Sequence, residues 1–145
     1  MRDASGNVSY GLRPEVNFSL HSDLLPLYDK YSVDLVLQGH DHLYARSQKL
    51  AGGKIVAPDA PGTVYMISVS GPKMYEIDHR FEPLMAKVIP NTQMFQVIDV
   101  DGDQMRLRAY SSEGDLLDGF LLMKKNGHSV YSELDKAATG ATVGK

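Results

Sequence analysis

Val33-Asp34-Leu35-Val36-Leu37-Gln38-Gly39-His40-Asp41-His42-Leu43-Tyr44-Ala45-Arg46 decides how the rest of the chain is read. A short apolar run ends at a glycine, and two histidines separated by one residue follow at once. The run predicts a buried strand over Val33 to Leu37, delivering two imidazoles to its C-terminal edge, where a metal could be held. Alternate residues of a regular strand face opposite sides, so His40 and His42 converge on one centre only where the backbone turns between them. Gly39, just before the pair, permits that turn. Two imidazoles alone give incomplete coordination, because a catalytic zinc takes about three protein ligands.

Around this stretch the chain has the composition of an ordinary globular domain. Its 145 residues are 43% hydrophobic and 23% charged, and a chain of that length buries roughly 70% of the surface its unfolded form exposes. The net charge of -3 comes with scattered basic residues, which argues against a nucleic-acid partner. The adjacent pair Lys124-Lys125 reads as a solvated strand end. No apolar run approaches the ~20 residues of a membrane span, and no signal peptide is visible. Without cysteine, a metal must be held by oxygen and nitrogen ligands, which suit zinc, iron or manganese.

Residues 1–14 read as a loop. Ser22 or Asp23 can cap a helix through about Tyr31, with Leu24, Leu25, Leu27, Tyr28 and Tyr31 on its apolar face and Pro26 in the first turn. A second short strand is expected near Leu43 to Ser47, a surface excursion between Ala51 and Gly62, and a strong strand over Thr63 to Ser70, closed by Gly71-Pro72. A short helix is expected around Pro83 to Lys87. After it comes a meander: Gln93 to Val100 pairs with Gln104 to Tyr110 across Asp101-Gly102, and Glu113-Gly114 turns the chain into Leu116 to Met123. Asn126 to Lys145 reads as a mobile or weakly docked tail.

The residues from Lys30 to Arg46 resemble the last metal-binding motif of calcineurin-like metallophosphoesterases, in their purple acid phosphatase branch. There a strand ends in Gly-His-x-His followed by x-Tyr-x-Arg, and Gly39, His40, His42, Tyr44 and Arg46 match throughout. Gly62-Thr63-Val64-Tyr65 with Ser70-Gly71, and the meander ending near Lys124, resemble the following family segments. The resemblance spans about Leu20 to Lys124. It implies an α+β fold, a partial αββα sandwich built mostly of one mixed or antiparallel sheet, with one or two helices and a C-terminal meander. The domain portion would be residues 1–124, and 125–145 a flexible tail.

The same resemblance implies that His40 and His42 ligate two metal ions, iron, zinc or manganese, one on each. Such ions, about 3.5–4 Å apart, clamp a phosphoryl group and activate a water for in-line attack. Asp41 is expected to be structural, and Tyr44 and Arg46 to orient and cover the loop. The family's other ligands precede this motif and none is present; His21 lies at a helix start. The expectation is the C-terminal part of a phosphoesterase, without turnover or a dinuclear centre on its own. Its partners would be a phosphoester and the missing N-terminal part of the domain, and its setting periplasmic or secreted. An alternative is a non-catalytic β module that self-associates or binds a partner through exposed strand faces. A barrel-type His-x-His hydrolase needs a longer chain.

Other residues read as structural. His79 and His128 are expected at the surface. Asp99, Asp101 and Asp103 flank a hairpin, since a calcium loop starting at Asp99 would need Glu where Tyr110 stands. Ser70-Gly71 lacks the flanking glycine of a nucleophile elbow. Met66, Met94, Met105 and Met123 are expected in the core, and Asn7 and Asn17 fit glycosylation acceptors.

Overall fold

The computed structural model describes residues 24–39, 41–68, 71–75 and 82–134. His21, Ser22, Asp23, His40, Ser70, His79, the two glycosylation acceptors and residues 135–145 lie outside the described residues. The apolar run after Ser32 forms β1 (Leu35–Gln38), and the motif's tyrosine and arginine lie on β2 (Tyr44–Ser47). A small hairpin, β3 (Leu50–Ala51) and β4 (Lys54–Ile55), closes through Gly52 and Gly53. Then follow β5 (Val64–Ile67), a 3-10 turn (Glu82–Leu84), β6 (Met85–Ile89), β7 (Met94–Asp101), β8 (Gln104–Ser111), β9 (Leu116–Lys125) and β10 (His128–Glu133).

These strands make two four-stranded sheets. The first has the order β1-β5-β2-β6, with β1 parallel to β5 and the other pairs antiparallel. The second is the meander β10-β9-β8-β7. The α+β class, the mixed sheet and the C-terminal meander agree with expectation. The meander does not extend the mixed sheet, however; it forms a sheet of its own that packs against it. Period-two alternation aims Tyr44, Val64 and Met66 from the first sheet, and Met94, Leu107, Ala109, Phe120 and Leu122 from the second, into one shared core.

The helix over 24–30 ends near the predicted place. The Val33 amide donates to Tyr28 O and the Ser32 amide to Asp29 O, with Ser32 left-handed at φ 50°; this is the Schellman closure of a helix C-terminus. The Tyr28 ring lies 6.2 Å from that of Tyr65, so the helix covers the outer face of the first sheet. Leu27 and Tyr31, expected on its apolar face, are exposed.

Four other local expectations are corrected. Residues 85–89 form strand β6 rather than a helix, because Met85, Lys87, Val88 and Ile89 find ladder partners on β2, with Ala86 at an irregularity of the register. The β7–β8 turn is Gly102-Asp103, one residue later than expected, since Asp101 pairs with Gln104 and glycine suits the first central position of a type II′ turn. Past Lys125 the chain turns through Asn126 (φ 53°) and Gly127 (φ 85°) into β10, so residues 128–133 are strand rather than tail. Lys124 is not merely solvated: its Nζ pairs with Asp34 Oδ2 at 2.8 Å, tying β9 to the start of β1. Among the methionines Met66 and Met94 are buried and Met105 packs against the core, whereas Met123 is exposed.

Candidate functional site

Sheet order places the histidine loop. Because β5 lies between β1 and β2, the connection over 39–43 must cross the C-terminal end of β5. The chain leaving β5 reaches residues 71–75 at that same end, and the two segments are stapled together. The Tyr75 amide donates to His42 O at 2.8 Å, and His42 Nδ1 lies 2.9 Å from the Lys73 carbonyl oxygen. A carbonyl can only accept, so Nδ1 carries a proton, and in the neutral ring the lone pair is then on Nε2. The Tyr75 ring lies 4.9 Å from the His42 ring, tilted by 53°, and Lys73 Nζ lies 5.0 Å from the Tyr75 ring centre.

Of the other predicted site residues, Asp41 is buried, Leu43 beside it anchors the loop in the interior, and Gly39 is exposed. Gly39 is not left-handed, and a Cβ there would meet nothing within 4 Å. His40 lies outside the described residues. Among the described residues no three His, Cys, Asp or Glu side chains group as a metal site. Thus the described residues offer a metal one oriented nitrogen, short of the donor set a bound ion needs.

Tyr44 and Arg46 point away from this loop, into the space between the sheets. Tyr44 Oη donates to Asp118 Oδ2 at 2.7 Å, Arg46 Nε to the same oxygen at 2.7 Å and Arg46 Nη2 to Asp118 Oδ1 at 2.9 Å. Arg46 Nη2 also reaches Glu133 Oε2 at 2.9 Å, and Nη1 donates to the Tyr131 hydroxyl, which in turn donates to Glu133. The guanidinium, 1% exposed, rests 5.1 Å over the Phe120 ring. Burial works against its charge, but Asp118 more than compensates and holds it above the ordinary arginine value. Burial likewise opposes ionisation of Asp118, yet the Arg46 and Tyr44 hydrogen bonds hold its carboxyl below the usual range. Burial, then the Asp118 charge, push the Tyr44 phenol far above its own. These two motif residues thus lock the strand leaving the loop to the opposite sheet.

Sequence reasoning missed Asp118, Tyr131 and Glu133, and missed Lys73 and Tyr75. A signal for Asp118 exists: it is the one acid within Leu116-Leu117-Asp118-Gly119-Phe120-Leu121-Leu122, in phase with the inward-facing Phe120 and Leu122. An acid so placed calls for a buried cation. Lys73 and Tyr75 carry no such signal; topology alone brings them to His42.

No protein-family model matches the chain, and no curated protein matches it. Among solved structures it is similar to the purple acid phosphatase PPD1 from yellow lupin (Lupinus luteus) seeds, with a TM-score of 0.59 and 20% identity over 72% of this chain. The chain spans about a fifth of that protein, covering 20% of its length. At this identity the likeness is one of fold.

Proposed function

We propose that this chain is the portion of a metal-dependent phosphoesterase that carries a histidine pair, His40 and His42, of a dinuclear site hydrolysing phosphate esters. The observation that carries the reading is His42 itself. Its Nδ1–H is tied to a backbone carbonyl, the arrangement that metal-ligating histidines use to fix tautomer and ring orientation. It stands at the C-terminal end of the parallel β1–β5 pair, where open sheets carry their ligand sites. The fold likeness to a purple acid phosphatase supports the same reading.

In this proposal His40 and His42 would each hold one iron, zinc or manganese ion, and such ions supply Lewis-acid activation of water and of the phosphoryl oxygen. The chain's own residues do the positioning. Lys73 O fixes the His42 ring, Tyr75 N fixes its backbone, and the Tyr44–Arg46–Asp118 lock holds the strand that follows. The remaining ligands would come from sequence that completes the domain, so aryl phosphate hydrolysis is expected of the completed domain and not of this chain alone.

Imidazole nitrogen NMR tests the reading. Neutral His42 should show a protonated Nδ1 and a bare Nε2, and zinc should shift Nε2 in the wild type but leave no such signal in His42→Ala. A protonated Nε2, or a His42 resonance indifferent to zinc, would remove the metal reading.

A second reading has its own observation. Strand β7 is an edge of its sheet among the described residues, and it leaves Phe95, Ile98 and Val100 exposed, Val100 by 67%. An apolar open edge is a template for pairing with another chain, which fits a self-associating β module. Sedimentation velocity should then show concentration-dependent association that Val100→Lys suppresses; a monomer at all concentrations disposes of this alternative.

A further inference from the structure

At the end of the sandwich opposite the histidine loop, the inner face of the meander carries an apolar row and a polar one. Val100, Met105 and Leu122 stand opposite one another across β7, β8 and β9 and form the apolar row. Two residues further along β9, on the same face, Lys124 stands opposite Ser129 of β10, so their side chains are cross-strand neighbours. With Asp34 and the Gly102-Asp103 turn, these residues line a cavity of about 190 Å³. One water fills only about 10–15 Å³ of such space, and a drug-sized pocket starts near ~300 Å³. The cavity suits one small molecule. Ser129 on its wall is 2% exposed, and its hydroxyl has no hydrogen-bond partner among the described residues. Its carbonyl is already engaged by the buried ammonium of Lys49. A buried hydroxyl left unpaired costs free energy, so this one calls for a partner within the cavity.

We propose that this cavity binds a free α-amino acid with a small aliphatic side chain. The Ser129 hydroxyl and the Lys124 ammonium donate to its carboxylate, and Asp34 accepts from its ammonium. Val100, Met105 and Leu122 cover its side chain. Lys124 Nζ lies 3.0 and 2.8 Å from the two Asp34 oxygens, so both signs of charge stand side by side, as they do on an amino acid. An ammonium has three donors and each carboxylate oxygen two lone pairs, so a ligand can join this pair without breaking it. A ligand with negative charge alone would meet Asp34 and Asp103. One with positive charge alone would leave Ser129 and Lys124 unanswered. Asp34 immediately precedes β1 and the histidine loop follows it, so the proposal is independent of the metal reading.

The test titrates the whole chain at neutral pH with three probes of one carbon skeleton. These are leucine, isoamylamine, which lacks the carboxylate, and isocaproate, which lacks the ammonium. Backbone amide shifts of Met105, Lys124 and Ser129 should saturate with leucine. Its affinity should exceed that of either truncated probe by about tenfold or more. Ser129→Ala removes a hydroxyl that has no protein partner, so the fold should survive it. Leucine affinity should nevertheless fall about tenfold, while isoamylamine, which offers Ser129 no acceptor, should bind the variant as it binds the wild type. Absence of a saturable shift with leucine, the result if Ser129 holds only a water, would overturn the proposal. So would equal affinity for leucine and either truncated probe, or leucine binding indifferent to Ser129→Ala. The wild-type titrations decide the matter by themselves should the variant not fold.

Discussion

A carboxylate with its side chain 6% exposed stays ionised only through its neighbours, and around Asp118 these are the Arg46 guanidinium and the Tyr44 hydroxyl. Removing one partner of such a pair leaves a buried charge uncompensated, at a cost of about 3–5 kcal/mol. Asp118→Asn should therefore lower unfolding stability by about 3 kcal/mol, since Asn keeps an acceptor for Tyr44 but no charge for Arg46. The dependence on pH follows from the same pair. The native carboxyl lies below the ordinary value of 3.8, so the unfolded chain binds its proton first as pH falls. The contribution of Asp118 is thus complete above that value and is lost as pH drops from it toward the native pKa. Urea midpoints between pH 6 and 2 should fall more steeply for the wild type than for Asp118→Asn, and parallel curves would contradict the assignment. Tyr44 and Arg46 were legible in the sequence as motif neighbours, but their partner lies more than 70 residues away. The sequence could therefore identify the residues without revealing that they join two sheets.

At the scale of elements, local signals succeeded where short-range chemistry dominates. The Gly102 hairpin and the end of the helix near Tyr31 belong to this class. The expected helix at Pro83 to Lys87 failed because β6 is decided by pairing with β2, a tertiary fact that outweighs the weak preference of Met85-Ala86-Lys87. β10 was missed although Asn126-Gly127 is itself a hairpin signal; the small polar composition beyond it drew the whole segment into a tail. The helix end yields a prediction. Ser32 takes the left-handed position that glycine normally fills in this closure, and an L-residue pays about 1–2 kcal/mol there. Glycine escapes that cost but loses more chain entropy on folding, so Ser32→Gly should stabilise by about 0.5–1 kcal/mol. The urea midpoint should rise with an unchanged slope. A midpoint that stays put or falls would mean that the Ser32 side chain contributes more than its backbone geometry costs.

Across the whole molecule the two sheets share one core and are cross-tied on both sides of it, by Arg46–Asp118 and by Lys124–Asp34. Part of the histidine loop's setting was legible, namely a strand leading into the motif and the antiparallel meander. The burial expected of that strand was not, since β1 lies at an edge of its sheet among the described residues and leaves Leu37 56% exposed. What could not be read was that β5 inserts between β1 and β2, because the order of strands is decided by packing and not by adjacency in the chain. That insertion is what brings residues 71–75 under His42. A shared core also predicts how the protein unfolds. Phe120 belongs to the meander, is fully buried, and touches the first sheet through Arg46, besides stacking on Tyr131 at 5.6 Å. Phe120→Ala should cost about 3–5 kcal/mol. If the sheets form one cooperative unit, amide hydrogen exchange should lose protection equally in β5, which belongs to the other sheet, and in β9, which carries the substitution, with its neighbour β8. Protection kept in β5 while β8 and β9 open would show the first sheet holding together without the meander. The histidine loop would then rest on a sheet that needs no second layer, and the Tyr44–Arg46–Asp118 lock could not be what orients it.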